Sequence, residues 1–173
     1  MKTKEYAVWL KPAGNEFEQL INRYSTAFNT PAFDAHITLL SGISENEERI
    51  KQKVHQLSKN TQPFNTYIVK VSHSDFYFRS VILELDPVSQ LIDLLEEAKK
   101  TFDKIEPIPY LPHISIVYSN LSNQKRAQIV QDLKDISGKN VVVKSFVIIE
   151  ASTEIPIEDW RVVDEIELAK PTN

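Results

Sequence analysis

Four residues of this 173-residue chain are of types that could do chemistry together. His36 and Thr38 lie in Phe33-Asp34-Ala35-His36-Ile37-Thr38-Leu39-Leu40. His113 and Ser115 lie in Leu111-Pro112-His113-Ile114-Ser115-Ile116-Val117-Tyr118, seventy-seven residues further on. Each run reads histidine, apolar, hydroxyl, apolar. Residues i and i+2 of a β-strand point to one face, so each imidazole projects beside a hydroxyl. Two such strands side by side would gather two imidazoles and two hydroxyls around one point. Without a metal or a nucleophilic cysteine, that set suits phosphoester hydrolysis by acid and base. A neutral imidazole takes a proton from the attacking water, and a protonated one gives a proton to the leaving oxygen. Hydroxyls donate to the non-bridging oxygens, where negative charge sits in the transition state. A strained cyclic phosphate, with both reacting oxygens on one phosphorus, fits between such groups.

Composition narrows the alternatives. Hydrophobic residues make up 42% and charged residues 25%, the balance of an ordinary globular domain. The three glycines are Gly14, Gly42 and Gly138, and no phosphate-cradling glycine loop or dinucleotide fingerprint is present. The absence of cysteine excludes disulfides and thiolate metal sites. A net charge of −4 argues against a broad footprint for long nucleic acid, but not against a small anion held by local donors. Met1-Lys2-Thr3-Lys4-Glu5 leads straight into a strand-like run, and no apolar run approaches a membrane span. The expectation is a soluble, cytoplasmic monomer without cofactor or metal.

The elements that must position these residues follow from periodicity and caps. Glu5 to Leu10 reads as a strand ended by Pro12. Asn15 is expected to cap a helix to about Phe28, with Phe17, Leu20, Ile21, Tyr24 and Phe28 on one face. The first histidine strand follows, broken by Gly42. Ser44 with Glu47 forms a capping-box pattern for a polar helix buried along Ile50, Val54 and Leu57. A strand runs from about Phe64 to His73. The order then repeats. Phe78 to Asp86 is a strand, Asp86-Pro87 starts a helix, and Leu91, Ile92, Leu94, Leu95, Ala98 and Phe102 form its apolar face. A connection with Pro107, Pro109 and Pro112 leads to the second histidine strand. Ser122 caps a helix with Ile129, Val130, Leu133 and Ile136 inward, and Gly138 ends it. Strands at Val141–Ala151 and Arg161–Ala169 precede a tail at 171–173. The fold class is α+β. It comprises one domain over 1–170, with pseudo-repeat halves at about 4–74 and 76–169. Two sheet-bearing lobes with helices meet in a cleft.

These segments resemble the two-histidine (2H) phosphoesterase superfamily, and within it the cyclic phosphodiesterases of yeast and plants. Tyr6-Ala7-Val8-Trp9-Leu10 is similar to that family's opening strand. Phe33-Asp34-Ala35-His36-Ile37-Thr38 stands where it often has Phe-Glu-Pro-His-Val-Thr, with Ala35 replacing the common proline. Tyr77-Phe78-Arg79-Ser80-Val81-Ile82-Leu83-Glu84 resembles the strand opening the second half. Pro112 to Tyr118 resembles the second motif, including the tyrosine five residues after the histidine. The resemblance implies metal-independent hydrolysis of a 2′,3′-cyclic nucleotide, or of ADP-ribose 1″,2″-cyclic phosphate, to a monoester. It implies His113 as the base for water and His36 as the acid. Relatives process RNA 2′,3′-cyclic or 2′,5′ ends, so RNA ends are an alternative substrate. A phosphate-ester-binding module without turnover is an alternative of another class.

The remaining candidates have two readings each. Thr38 and Ser115 are substrate-binding residues only if they face the histidines. By strand geometry Tyr118 turns to the opposite face from His113 unless the strand ends or bulges, whereas the family pattern has it reach the ligand. Trp9 is either a ring for stacking on a base or ribose, or core. Arg79 is a phosphate partner or an exposed edge residue. His55 reads as a surface residue, and His73 with Asp75 lacks a third metal ligand.

Overall fold

The structure, a computed structural model, describes residues 4–104 and 110–169. Pro107, Pro109 and the tail at 171–173 lie outside the described residues. The strands are β1 (Tyr6–Pro12), β2 (Ile37–Ile43), β3 (Phe64–His73), β4 (Val81–Leu85), β5 (His113–Val117), β6 (Asn140–Glu150) and β7 (Arg161–Glu167). The helices are α1 (Glu16–Phe28), α2 (Glu47–Asn60), α3 (Ser89–Thr101) and α4 (Asn123–Asp132).

Every strand pairing is antiparallel, in the order β1-β2-β5-β4-β3-β6-β7, and a further pairing of β1 with β6 closes the first six into a ring. Each half of the chain contributes its third strand to the other half's pair. The sheet β6-β1-β2 takes β6 from the second half, and β3-β4-β5 takes β3 from the first. The groups meet at two seams. One is the single pair Ile37–Ile114 between β2 and β5, and the other runs from Phe64–Val143 to Tyr67–Asn140 between β3 and β6.

The row through the first seam is Leu10, Ile37, Ile114 and Leu83, all with 0% exposure. Helices cover this face, with α1 on β5, α2 on β6 and β7, α3 on β2, and α4 on β3 and β4. Burying each of these large aliphatic side chains stabilises the fold by about 1.5–3 kcal/mol. Alternation then sends the residues flanking Ile37 and Ile114 to the other face. Extending the seam register by one residue sets His36 opposite Ser115 and Thr38 opposite His113.

Several boundaries differ from the sequence expectation. The side chain of Asn15 makes no capping hydrogen bond to α1. Asn46, not Ser44, caps α2 by accepting from the Glu48 amide at 2.9 Å. Gly42 lies inside β2, where its φ of +63° lets the strand continue rather than end. Pro12 is the last residue of β1. Asp86 does not cap α3, because its backbone is still tied to β3. Its amide donates to the Tyr67 carbonyl at 2.8 Å, and its carbonyl accepts from the Thr66 hydroxyl at 2.7 Å. Ser122 does cap α4, accepting from the Lys125 amide at 3.4 Å.

Phe78 to Ser80 are not strand residues. Tyr77–Arg79 form a 3-10 turn before β4. Ser74 Oγ donates to the Arg79 carbonyl at 2.8 Å, Ser115 Oγ to the Phe78 carbonyl at 2.9 Å, and the Ser119 amide to the Tyr77 carbonyl at 3.1 Å. With those carbonyls taken, no strand partner is needed.

Candidate active site

Both histidines sit at the mouth of their strands, His36 immediately before β2 and His113 as the first residue of β5. Each is fixed in the same way. His36 Nδ1 donates to the Asp34 carbonyl at 2.6 Å, and His113 Nδ1 donates to the Leu111 carbonyl at 2.8 Å. A carbonyl only accepts, so Nδ1 carries the proton in each ring and Nε2 is left to take or give one.

The two imidazoles line one cleft of about 370 Å³ together with Thr38 and Trp9. A larger depression of about 710 Å³ lies between the end of α2, the start of β3 and α3, and no histidine lines it. Size is therefore a poor guide here; the convergence of imidazoles is the better one.

Ser115 lies beneath the cleft surface, buried, with its proton committed to the Phe78 carbonyl. Tyr118 is also buried, and its hydroxyl stands 3.4 Å from His36 Nε2. The strand-face argument against Tyr118 fails because β5 stops at Val117 and the next residue is free to turn. Its phenol is pushed well above its usual pKa by burial, so it stays a hydrogen-bond donor.

Trp9 presents its face to His36 and not to open space. The rings stack at 3.5 Å between centroids and 8° between planes, and Trp160 meets Trp9 edge-on at 5.9 Å. Trp9 is thus the floor on which the first imidazole rests. Phe33 and Tyr118 stack behind it at 3.7 Å.

Burial holds the His36 pKa down to about 4, against the hydrogen bond to Asp34 and helped by repulsion from His113. Burial also lowers His113, less the effect of its bond to Leu111, with Arg79 pushing further down and Glu84 pulling up. Glu84 is the residue paired across from His113 on β4. Both rings are therefore biased towards neutrality.

Sequence reasoning missed Trp160, Phe76, Ser41, Ser152 and Thr153, which complete the cleft wall. Trp160 was the findable one: an indole after Glu158-Asp159 in a polar loop has no helical or strand stripe to join. Arg79, weighed from sequence as either edge or phosphate partner, lines the cleft and is exposed. His55 is exposed and lies 3.3 Å from Asp164. Asp75 is engaged by Arg126. Among the described residues no three histidine, aspartate or glutamate side chains converge as a metal cage, and no helix is long and apolar enough to cross a membrane.

The architecture is that of the two-histidine phosphoesterases. Escherichia coli LigT, solved with 3′-AMP, superposes with a TM-score of 0.61 over 95% of this chain and 98% of its own, at 13% identity. The Thermus thermophilus protein TT0787 gives a TM-score of 0.65 over 97% of this chain and 100% of its own, at 14% identity. Those likenesses define the fold.

Residues 5–168 match the family described as cyclic phosphodiesterase-like protein, and the chain belongs to that family as a phosphodiesterase. It is 23% identical to the cyclic phosphodiesterase of Arabidopsis thaliana, over 73% of this chain and 71% of the relative. It is 24% identical to the 2′,3′-cyclic-nucleotide 3′-phosphodiesterase of Kluyveromyces lactis, over 92% and 97% respectively.

Proposed function

We propose that the chain opens a small cyclic phosphodiester, a 2′,3′-cyclic nucleotide or ADP-ribose 1″,2″-cyclic phosphate, to a phosphomonoester by metal-independent acid–base catalysis. The carrying observation is the matched pair of Nδ1–carbonyl bonds, which leaves the Nε2 atom of each ring as the one to exchange a proton, on histidines of one cleft. His113 Nε2 takes a proton from water as its oxygen attacks phosphorus. The cyclic P–O bond breaks, and His36 Nε2 protonates the leaving oxygen. Proton transfer by a positioned side chain is worth about 10²–10⁴ in rate.

Two surroundings favour this direction. The positive charge of Arg79 disfavours a proton on His113. The π-face of Trp9 lies flat on His36, an arrangement that favours an imidazolium. Burial opposes that charge, and the phosphate anion of the substrate offsets the penalty. Thr38 donates to a non-bridging oxygen. Ser115 does so only by releasing the Phe78 carbonyl.

The relatives' names, a cyclic phosphodiesterase and a 2′,3′-cyclic-nucleotide 3′-phosphodiesterase, support a nucleotide-like substrate. Phosphorus NMR on a panel of cyclic phosphates, with EDTA present, tests the reading. The monoester resonance is expected to grow at a rate the chelator leaves unchanged. Turnover abolished by EDTA would overturn the metal-independent mechanism, and calorimetric binding without any product would favour a non-catalytic module. An oligonucleotide processed far faster than a mononucleotide would move the substrate to RNA ends.

A further inference from the structure

One carboxylate stands beside the second imidazole and is not its hydrogen-bond partner. Leu83 and Ile114 face the helices, so their neighbours Glu84 and His113 share the opposite face. There Glu84 of β4 is the direct ladder partner of His113 at the start of β5. Opposed residues of an antiparallel pair bring their Cβ atoms to about 4.5–5.5 Å. His113 Nδ1 is committed to the Leu111 carbonyl. Glu84 therefore acts on the ring through its charge, and the backbone alone sets the tautomer.

That carboxylate is moored from β3. Ser72 Oγ donates to Glu84 Oε1 at 2.6 Å, and Lys70 Nζ lies 3.3 Å from Oε2. Lys70 is also the ladder partner of Glu84 on that side. The Glu84 side chain is 15% exposed and that of Lys70 61%, so water screens the lysine more than the carboxylate. Both carboxylate oxygens are engaged, and Glu84 is not among the residues that line the cleft. It is placed to assist His113, not to take the proton from water itself.

The other charges around His113 show what such an anion adds. Arg79 faces it from the turn before β4, His36 from across the β2–β5 seam, and Glu5 from the β1 side of the cleft. Helix α1 covers the opposite face of β5. Burial and Arg79 keep the ring neutral and ready for water. A general base must also hold the proton once it has taken it, and a fixed carboxylate alongside favours that state.

We infer that Glu84 is a positioning residue of the reaction: moored by Ser72 and Lys70, its carboxylate stabilises the positive charge that the His113 ring acquires on taking the proton from water. The inference rests on the acid–base reading of the cleft, with His113 as the base.

Proton NMR of the histidine Cε1–H signals against pH tests it in the substrate-free protein. The signal absent from His113→Gln identifies His113. Glu84→Gln keeps an oxygen for Ser72 and removes the charge. The His113 midpoint is expected to fall by about 0.5–1 pH unit. In the same variant kcat on a 2′,3′-cyclic nucleotide should drop by a factor of about three to ten, with KM no higher. Lys70→Gln removes the countercharge at an exposed site, and the midpoint should rise by a smaller amount. That variant decides the matter if Glu84→Gln does not fold. An unmoved midpoint in Glu84→Gln, a midpoint that stays or falls in Lys70→Gln, or a lowered midpoint with full kcat would overturn the inference. The titration needs no turnover, so a wild type that hydrolyses no cyclic phosphate would overturn the hydrolytic reading as a separate result.

Discussion

The hydroxyl of Tyr118 stands 3.4 Å from Nε2 of His36, so the last residue of the second motif touches the imidazole of the first. Because His36 Nδ1 already donates to Asp34, Nε2 of the neutral ring accepts this bond. The phenol therefore helps to hold the imidazole, and in the proposed reaction His36 Nε2 exchanges this partner for the leaving oxygen.

Tyr118→Phe removes that hydroxyl and keeps the ring stacked on Phe33. Turnover is expected to fall about tenfold, the cost of one hydrogen bond near 1.4 kcal/mol, while the thermal midpoint shifts little. A variant with full kcat would show that the contact does not serve the reaction.

Trp9→Phe shrinks the surface under His36. Since the indole face is occupied by the imidazole, kcat should drop with KM nearly constant. A rise in KM with kcat unchanged would return Trp9 to a role in stacking on the substrate.

His36 also makes stability depend on pH. Its folded pKa of about 4 lies below the ordinary 6.5, so the unfolded chain binds the extra proton between those values. Stability is full above about 6.5 and is lost as pH falls through 4, by roughly 3 kcal/mol. Urea midpoints measured from pH 4 to 7 should slope steeply for wild type and much less for His36→Asn. Parallel curves would mean that His36 is not held neutral.

Arg126 braces the cleft wall without lining it. Arg126→Lys loses the fork that holds Ser74, Asp75 and Asn123 together, and a loss of roughly 2 kcal/mol is expected by analogy with other buried charged hydrogen bonds. KM should rise several-fold at constant pH optimum. An unchanged KM in a destabilised variant would restrict Arg126 to folding.

Much of this was legible in the chain because periodicity and hydroxyl spacing are local. The stripes Ile50-Val54-Leu57 and Leu91-Leu94-Leu95-Ala98 are buried in the expected helices, and β3 runs from Phe64 to His73 as its pattern required. The pairing of the motifs followed from their echo, since Ile37 and Ile114 are equivalent positions that meet on one seam. What escaped was set by tertiary partners. Phe78 carries a strand-like flank, yet its carbonyl is claimed by Ser115 across the sheet. Trp9 sits in an apolar strand, and nothing nearby in sequence shows that His36 will lie flat upon it. The exchange of β3 and β6 between the halves is a choice of long-range partners, and no local spacing encodes it.

The pairing of the two imidazoles is tested most directly by the pH dependence of turnover in wild type, His36→Gln and His113→Gln on one 2′,3′-cyclic nucleotide. Wild type should give a bell in kcat/KM centred below about 6.5, because both free-enzyme imidazoles lie under their ordinary value. The kcat bell should sit at higher pH, since the bound phosphate anion favours each imidazolium. Each variant should lose one limb and about 10²–10⁴ of the rate. A variant that kept both limbs, or most of the rate, would contradict a shared acid–base role for His36 and His113.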